Sequence, residues 1–265
     1  ALKALTVPRV RQAYRDFFGA GAGQIAVVGD FDTTAVRAQL DTMLEGWKTR
    51  APYTPMVSRM FPVQGSRERI NTPGKANAMF VAGTTFPMTD HDTDYAAMQL
   101  ANYMLGGGAL TSRLMQRIRV QDGLSYATQS VFAADSREPS AELIALAIHA
   151  PQNGDKVTDD FFAVVDSTRA HGFTADELEK AKTGLLQANQ LMRSQDGALA
   201  GQLVADMLLG RTMAFQAGLD QRIRTATLDE VNTAFRQHVD PSKFVVIWAG
   251  DEAKAKGSTP IKPAP

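Results

Sequence analysis

A gapless internal repeat constrains this chain more than any other feature. Residues Thr6 to Asp30 align with Thr227 to Asp251 at an offset of 221 residues. Thr6 meets Thr227, Val10 meets Val231, Ala13 meets Ala234, Tyr14 meets Phe235, and Gly29-Asp30 meets Gly250-Asp251. Each copy opens with a threonine able to cap a helix. Apolar residues then recur with a helical period: Val10, Ala13, Tyr14 and Phe17 in one copy, Val231, Ala234 and Phe235 in the other. Thr227-Leu228-Asp229-Glu230 also spells a capping box. A short turn follows, then an apolar strand, Ile25–Val28 or Phe244–Trp248, ending at Gly-Asp. The spacing is too wide for a solenoid, whose period is roughly 20–50 residues. The pattern fits the closing helix–strand unit of two successive domains, with the body of the first lying upstream of Ala1. Chance likeness of two amphipathic units is the plainer alternative.

A chain of 265 residues holds one or two domains at roughly 150 residues each. Residues 1–50 are expected to be a terminal helix–strand–helix unit of a preceding homologous domain. Residues 51–66, with Pro52, Pro55 and Pro62, read as a linker. Residues 67–251 form a self-contained domain, and 252–265 a loose tail. Inside the domain, strands are expected over about 67–71, 76–85, 125–133 and 141–150. Helices are expected over about 92–105, 110–121, 155–171, 175–195, 197–209 and 215–223. Strands grouped early and helices grouped late imply an α+β fold, an antiparallel-rich sheet with helices layered on one face. A strand in residues 24–30 without its sheet seeks another edge, so a homodimer or local disorder is expected there.

The charges balance, with 28 Lys+Arg against 28 Asp+Glu, which argues against a whole-domain grip on nucleic acid. No cysteine is present, so disulfides, cysteine-based zinc sites and a thiol nucleophile are excluded. No segment reaches the ~18 apolar residues of a membrane span. The first residues, Ala1–Leu5, lack the apolar stretch of a signal peptide, and the chain starts without Met, which fits a processed chain or a piece of a longer one.

Neither H-E-x-x-H nor H-x-x-E-H occurs, and no two of His91, His149, His171 and His238 lie within five residues. No helix therefore offers zinc a histidine pair. Asp90-His91-Asp92-Thr93-Asp94 has metal-like composition, but acids at a helix start are favoured by capping and the helix dipole. Gly106-Gly107-Gly108 lacks the Lys-Ser/Thr of a phosphate loop and reads as a flexible connector.

The stretch Leu105–Leu114, with its glycines and Thr111-Ser112-Arg113-Leu114, continues into Arg119 and then Gly123-Leu124-Ser125-Tyr126. Together with Phe173–Lys182 and the two Gly-Asp endings, this stretch resembles the insulinase-like (pitrilysin) zinc peptidases, the inverzincins. In that family two homologous α+β domains face each other across a substrate cavity, and one carries H-x-x-E-H. By resemblance this chain is the non-catalytic, substrate-binding half, with no metal of its own. Zinc then belongs to a catalytic H-x-x-E-H partner half, the substrates are peptides, and this segment alone is inactive. The resemblance makes Arg119 and Tyr126, seven residues apart, donors to the scissile carbonyl. A guanidinium and a phenol suit that role because they are strong hydrogen-bond donors. The other reading is a catalytically inactive interaction module of the same family. Bacterial relatives are often periplasmic, which is resemblance only.

Overall fold

The structure is a computed structural model that describes residues 4–57 and 59–256. The chain divides into two compact units. One joins the described residues up to Val57 with Gln190–Gln216. The other joins those from Arg59 to Asn189 with those from Ala217 onward.

The larger unit is built on a five-stranded sheet in the order β1-β5-β2-β4-β3. Its strands are β1 Ser66–Asn71, β2 Ala78–Phe86, β3 Ser125–Ala134, β4 Ala141–His149 and β5 Val245–Gly250. β2 pairs antiparallel with β4 and β5, and β3 pairs antiparallel with β4. β1 runs parallel to β5 at the other edge. Side chains alternate across the pleat. Phe80, Ala82 and Phe86 of β2, Leu143, Ala145 and Ala147 of β4, and Val246 and Trp248 of β5 are buried. The intervening residues of β2, β4 and β5 are half-buried or exposed, so the core lies on one side of the sheet.

Helices α3 Tyr95–Asn102, α4 Gly154–His171 and α8 Leu228–His238 cover that face. Phe161 of α4 sits 5.3 Å from the Phe80 ring and 5.2 Å from Phe244. Tyr95 of α3 lies 5.6 Å from Phe132 of β3. α8 sinks Val231, Ala234 and Phe235 into this core, with Phe235 edge-on to Phe173. Its start is the expected capping box, Thr227 and Glu230 bonding each other's backbone amides. A second box forms at the start of α5 Ala175–Arg193, where Glu177 accepts from the Thr174 amide at 2.7 Å. α7 Met213–Thr225 precedes α8.

The smaller unit holds α1 Val7–Phe17, α2 Thr33–Leu44 and α6 Asp196–Leu208. Tyr14 stacks on Phe18 at 5.2 Å and on Trp47 at 6.3 Å. Neither α1 nor α2 has a buried residue. The strand expected at Ile25–Val28 does not form, because no strand among the described residues pairs with it and an isolated extended segment gains no ladder bonds. The tail opens on a short helix, α9 Glu252–Lys256, and the expectation for 257–265 lies outside the described residues.

Candidate functional site

Arg119 and Tyr126 lie on one continuous stretch that runs from the glycine run into the start of β3, and its backbone departs twice from the expected helices. Residues Tyr103–Gly107 and Met115–Gln121 are π-helical. The first π turn closes with the Gly108 amide donating to the Tyr103 carbonyl, and the second with the Asp122 amide donating to Arg117. Such turns are rare and concentrate at functional sites.

The glycine run is a packing requirement rather than a flexible connector. A Cβ on Gly106 would lie 2.6 Å from the Ser130 backbone nitrogen, and one on Gly108 2.7 Å from the Tyr103 carbonyl oxygen. Next, Ser112 is buried and its hydroxyl donates to the Ala109 carbonyl. Arg113 is clamped: Nε and Nη2 donate to Glu177 at 2.6 and 2.7 Å, Nη1 to Thr168, Nη2 also to the Gly172 carbonyl, and the guanidinium lies over Phe173. Burial alone would raise the Glu177 carboxyl, but Arg113 and the Thr174 cap outweigh it and hold it below the usual range. Leu114 and Ile118 are buried, whereas Leu110, at the start of the helix expected over 110–121, is 55% exposed. Leu110 belongs to a separate short turn, Ala109–Thr111, so the helical period does not reach it.

Arg119 is exposed, and among the described residues its side chain has no hydrogen bond or ion pair. The chain then reverses at Gly123, whose φ of +62° is left-handed and favours glycine. The Asn153 amide side chain holds the Leu124 carbonyl at 3.0 Å. Ser125 is buried, its hydroxyl bonded to the carbonyls of Ala127 and Ile148. The ladder to β4 steps from Ser125↔His149 to Ala127↔Ile148, leaving Tyr126 as the extra residue of a β-bulge. Bulges re-aim side chains, and Tyr126 is 60% exposed, its hydroxyl without a partner among the described residues. Two free donor groups thus project from a segment pinned before, between and after them.

Two features of this region have little signal in the sequence. Arg117 donates to Asp160 of α4 through Nε at 3.0 Å and Nη2 at 2.9 Å. Asp122 lies 3.4 Å from Arg117 and 3.1 Å from Lys156. The only hint was the placement of acids and bases at compatible helical positions. Beside this network a cavity of about 570 Å³ is lined by Gln116, Gln121, Ser167 and His171 among others.

The four histidines do other work. His149 is buried at the end of β4, its Nδ1 bonded to the Ala150 carbonyl, and burial pushes its pKa down. His238 bonds Asp94 at 3.0 Å and stacks on Phe86. Within the acidic cluster, Asp92 accepts from the Thr89 amide and Asp90 from the Ser136 hydroxyl. Among the described residues no group of three or more His, Asp or Glu side chains is placed to hold a metal ion.

Comparison with known proteins places this geometry in a family. The model of the peptidase M16 inactive domain matches residues 4–185. An uncharacterized zinc protease of Streptomyces coelicolor is 28% identical over 246 residues, covering 89% of this chain and 51% of that protein. A non-peptidase homolog of Helicobacter pylori, YmxG, is 25% identical over 194 residues, covering 71% of this chain and 43% of that protein. The chain spans about half the length of these curated relatives. In fold it resembles the peptidase M16 inactive domain from Pseudomonas fluorescens, with a TM-score of 0.78 at 22% identity, covering 98% of this chain and 60% of that one. The match over most of the chain makes this protein a member of the peptidase M16 inactive-domain family.

Proposed function

We propose that this chain is the non-catalytic, substrate-binding half of a zinc metalloendopeptidase. It pairs with a half carrying H-x-x-E-H, and the two together enclose and cleave peptides. The observation that carries this reading is the pair of unpartnered, exposed donors, Arg119 and Tyr126, on a tightly pinned segment. Zinc bound in the catalytic half supplies an activated water. The chain's own part is to present guanidinium and phenol donors to the carbonyl oxygen as negative charge develops on it. Donors already fixed in place need no reorganisation during the reaction, which is why the pinning matters.

The domain organisation belongs to the same proposal. Residues 1–50 complete a preceding homologous domain, 51–66 link it to the domain over 67–251, and the chain ends in the segment 252–265. The exposed apolar residues of α1 support this, since they match by repeat the buried residues of α8. In the isolated chain a second copy can cover that face, so a homodimer or local disorder is expected there.

A second reading, a catalytically inactive interaction module, is favoured by the description of the Helicobacter pylori relative as a non-peptidase homolog. Mixing separates the two. The purified chain alone is expected to bind no stoichiometric zinc and to cleave no quenched fluorescent peptide. Adding the H-x-x-E-H half should produce cleavage that neither half shows alone. Full cleavage by the catalytic half without this chain would overturn the proposal and favour the interaction module.

A further inference from the structure

The second π turn lies against a cluster of four charged side chains, Arg117, Asp122, Lys156 and Asp160. Its backbone bond joins residues five apart, the Asp122 amide to the Arg117 carbonyl. The side chains of the same two residues, Arg117 and Asp122, both turn toward α4. There they meet Asp160 and Lys156, spaced four apart and therefore on one helix face. Arg117 also reaches back to Asp122, bridging the ends of its own π turn at 3.4 Å. In an α-helix, residues five apart are rotated by about 140° from each other, at about 100° per residue. Arg117 and Asp122 then could not both face α4. The π register brings them nearly into line.

The register matters because it sets which side chains point outward. Ile118 is buried, whereas Arg119 and Val120 are exposed. Removing the extra residue of the π turn would rotate everything after it by about 100° relative to what precedes it. That rotation would pass into the Gly123 reversal and the Tyr126 bulge. Asp160 is the fixed point of the network. It is 3% exposed, accepts two bonds from Arg117 on one oxygen, and leaves its other oxygen without a hydrogen bond. Its neighbours among the buried residues of α4 include Val157, Phe161 and Val165, so Asp160 is an acid set in an otherwise largely apolar face.

We infer that Asp160 and Lys156 of α4 are positioning residues that select the π register of residues 115–121 and thereby aim Arg119 and Tyr126. This inference rests on the proposed role of those two residues, but its structural part can be read without activity. Asp160 touches no substrate; it acts through the turn.

The test is hydrogen exchange of the Asp122 and Leu124 amides in the complete chain, comparing wild type with Asp160→Asn. Lys156→Gln, at a side chain that is 57% exposed, is the second variant and carries little risk to folding. Asp160→Asn should exchange these two amides at least tenfold faster and Lys156→Gln about two- to fivefold faster, while the amides of β4 keep their protection. Unchanged exchange at Asp122 in either folded variant overturns the inference. In the assembled peptidase, a displacement of about 1 Å at the donors costs up to about 100-fold in kcat/KM. Asp160→Asn should lower kcat/KM by roughly ten- to 100-fold and cost nothing further in a background carrying both Arg119→Ala and Tyr126→Phe. Fully additive losses would show that Asp160 acts elsewhere and overturn the inference. If Arg119→Ala and Tyr126→Phe both leave activity unchanged while the exchange effect is present, the proposed function fails and the register selection stands.

Discussion

The two copies of the repeat share a sequence pattern and differ completely in burial. In the second copy, Val231, Ala234 and Phe235 of α8 are 0, 2 and 1% exposed, and β5 lies between β1 and β2. In the first, the matching Val10 and Tyr14 are 55 and 51% exposed, and Ile25 and Val27 sit in no sheet. Amphipathic spacing is enough to make both helices, because helical hydrogen bonds are local. It is not enough to make both strands, because a strand's bonds belong to its neighbours. What the second copy has, and the described residues do not provide for the first, is a sheet to join. On the proposed domain organisation that sheet belongs to the preceding homologous domain.

Matched substitutions sharpen this contrast. Phe235→Ala should destabilise the larger unit by about 3–5 kcal/mol, since it empties a fully buried site. Tyr14→Ala, at the aligned position, should cost about 1 kcal/mol or less, the scale of an exposed aromatic pair. Urea unfolding can follow each unit separately, because Trp248 reports on the larger and Trp47 on the smaller. Equal losses at the two positions would break the comparison.

The caps give the next largest effect. Thr227→Ala removes a hydroxyl that accepts from the Glu230 amide, so a loss of about 1 kcal/mol is expected. Thr6 makes no such bond, and Thr6→Ala should stay within about 0.5 kcal/mol. Acid provides a finer test. The Thr227 backbone and hydroxyl bonds hold the Glu230 carboxyl below its usual value. A lowered carboxyl pKa stabilises the fold above the ordinary value and loses that contribution as pH falls through the folded one. The aligned residue in the first copy is Arg9, which has no carboxylate to lose. Amides at the start of α8 should therefore lose protection as pH falls below the usual glutamate range, with no matching cap loss at α1. Glu230→Gln should flatten that dependence.

Much of the larger unit was legible because its signals are local. Strands over Ala78–Phe86 and Ala141–His149 carry long β-prone apolar runs, and the boxes at Thr174 and Thr227 mark where α5 and α8 begin. Arg119 and Tyr126 were singled out by the family resemblance of the stretch around Gly123, and nothing in their own spacing marks them as donors. The missed features lack local signals. A π turn has no sequence period of its own, so residues 110–121 read as one α-helix rather than as two separate turns. The Arg117–Asp160 pair spans 43 residues, and neither partner is unusual where it stands. Gly106 and Gly108 looked like slack because their close neighbours, Ser130 and the Tyr103 carbonyl, are brought there by the fold. The strand pattern at 25–28 is present but forms no strand among the described residues, in keeping with the expectation that its sheet lies elsewhere.

The central claim is that Arg119 and Tyr126 supply the donors of this half. It is tested most directly by steady-state cleavage of a quenched fluorescent peptide by the assembled peptidase, with Arg119→Ala and Tyr126→Phe made separately. Both side chains are exposed, so neither change should disturb folding. The expected result is a fall in kcat of about 10²–10³ for each, the usual cost of one oxyanion donor. Wild-type kcat and KM in both folded variants would contradict the account.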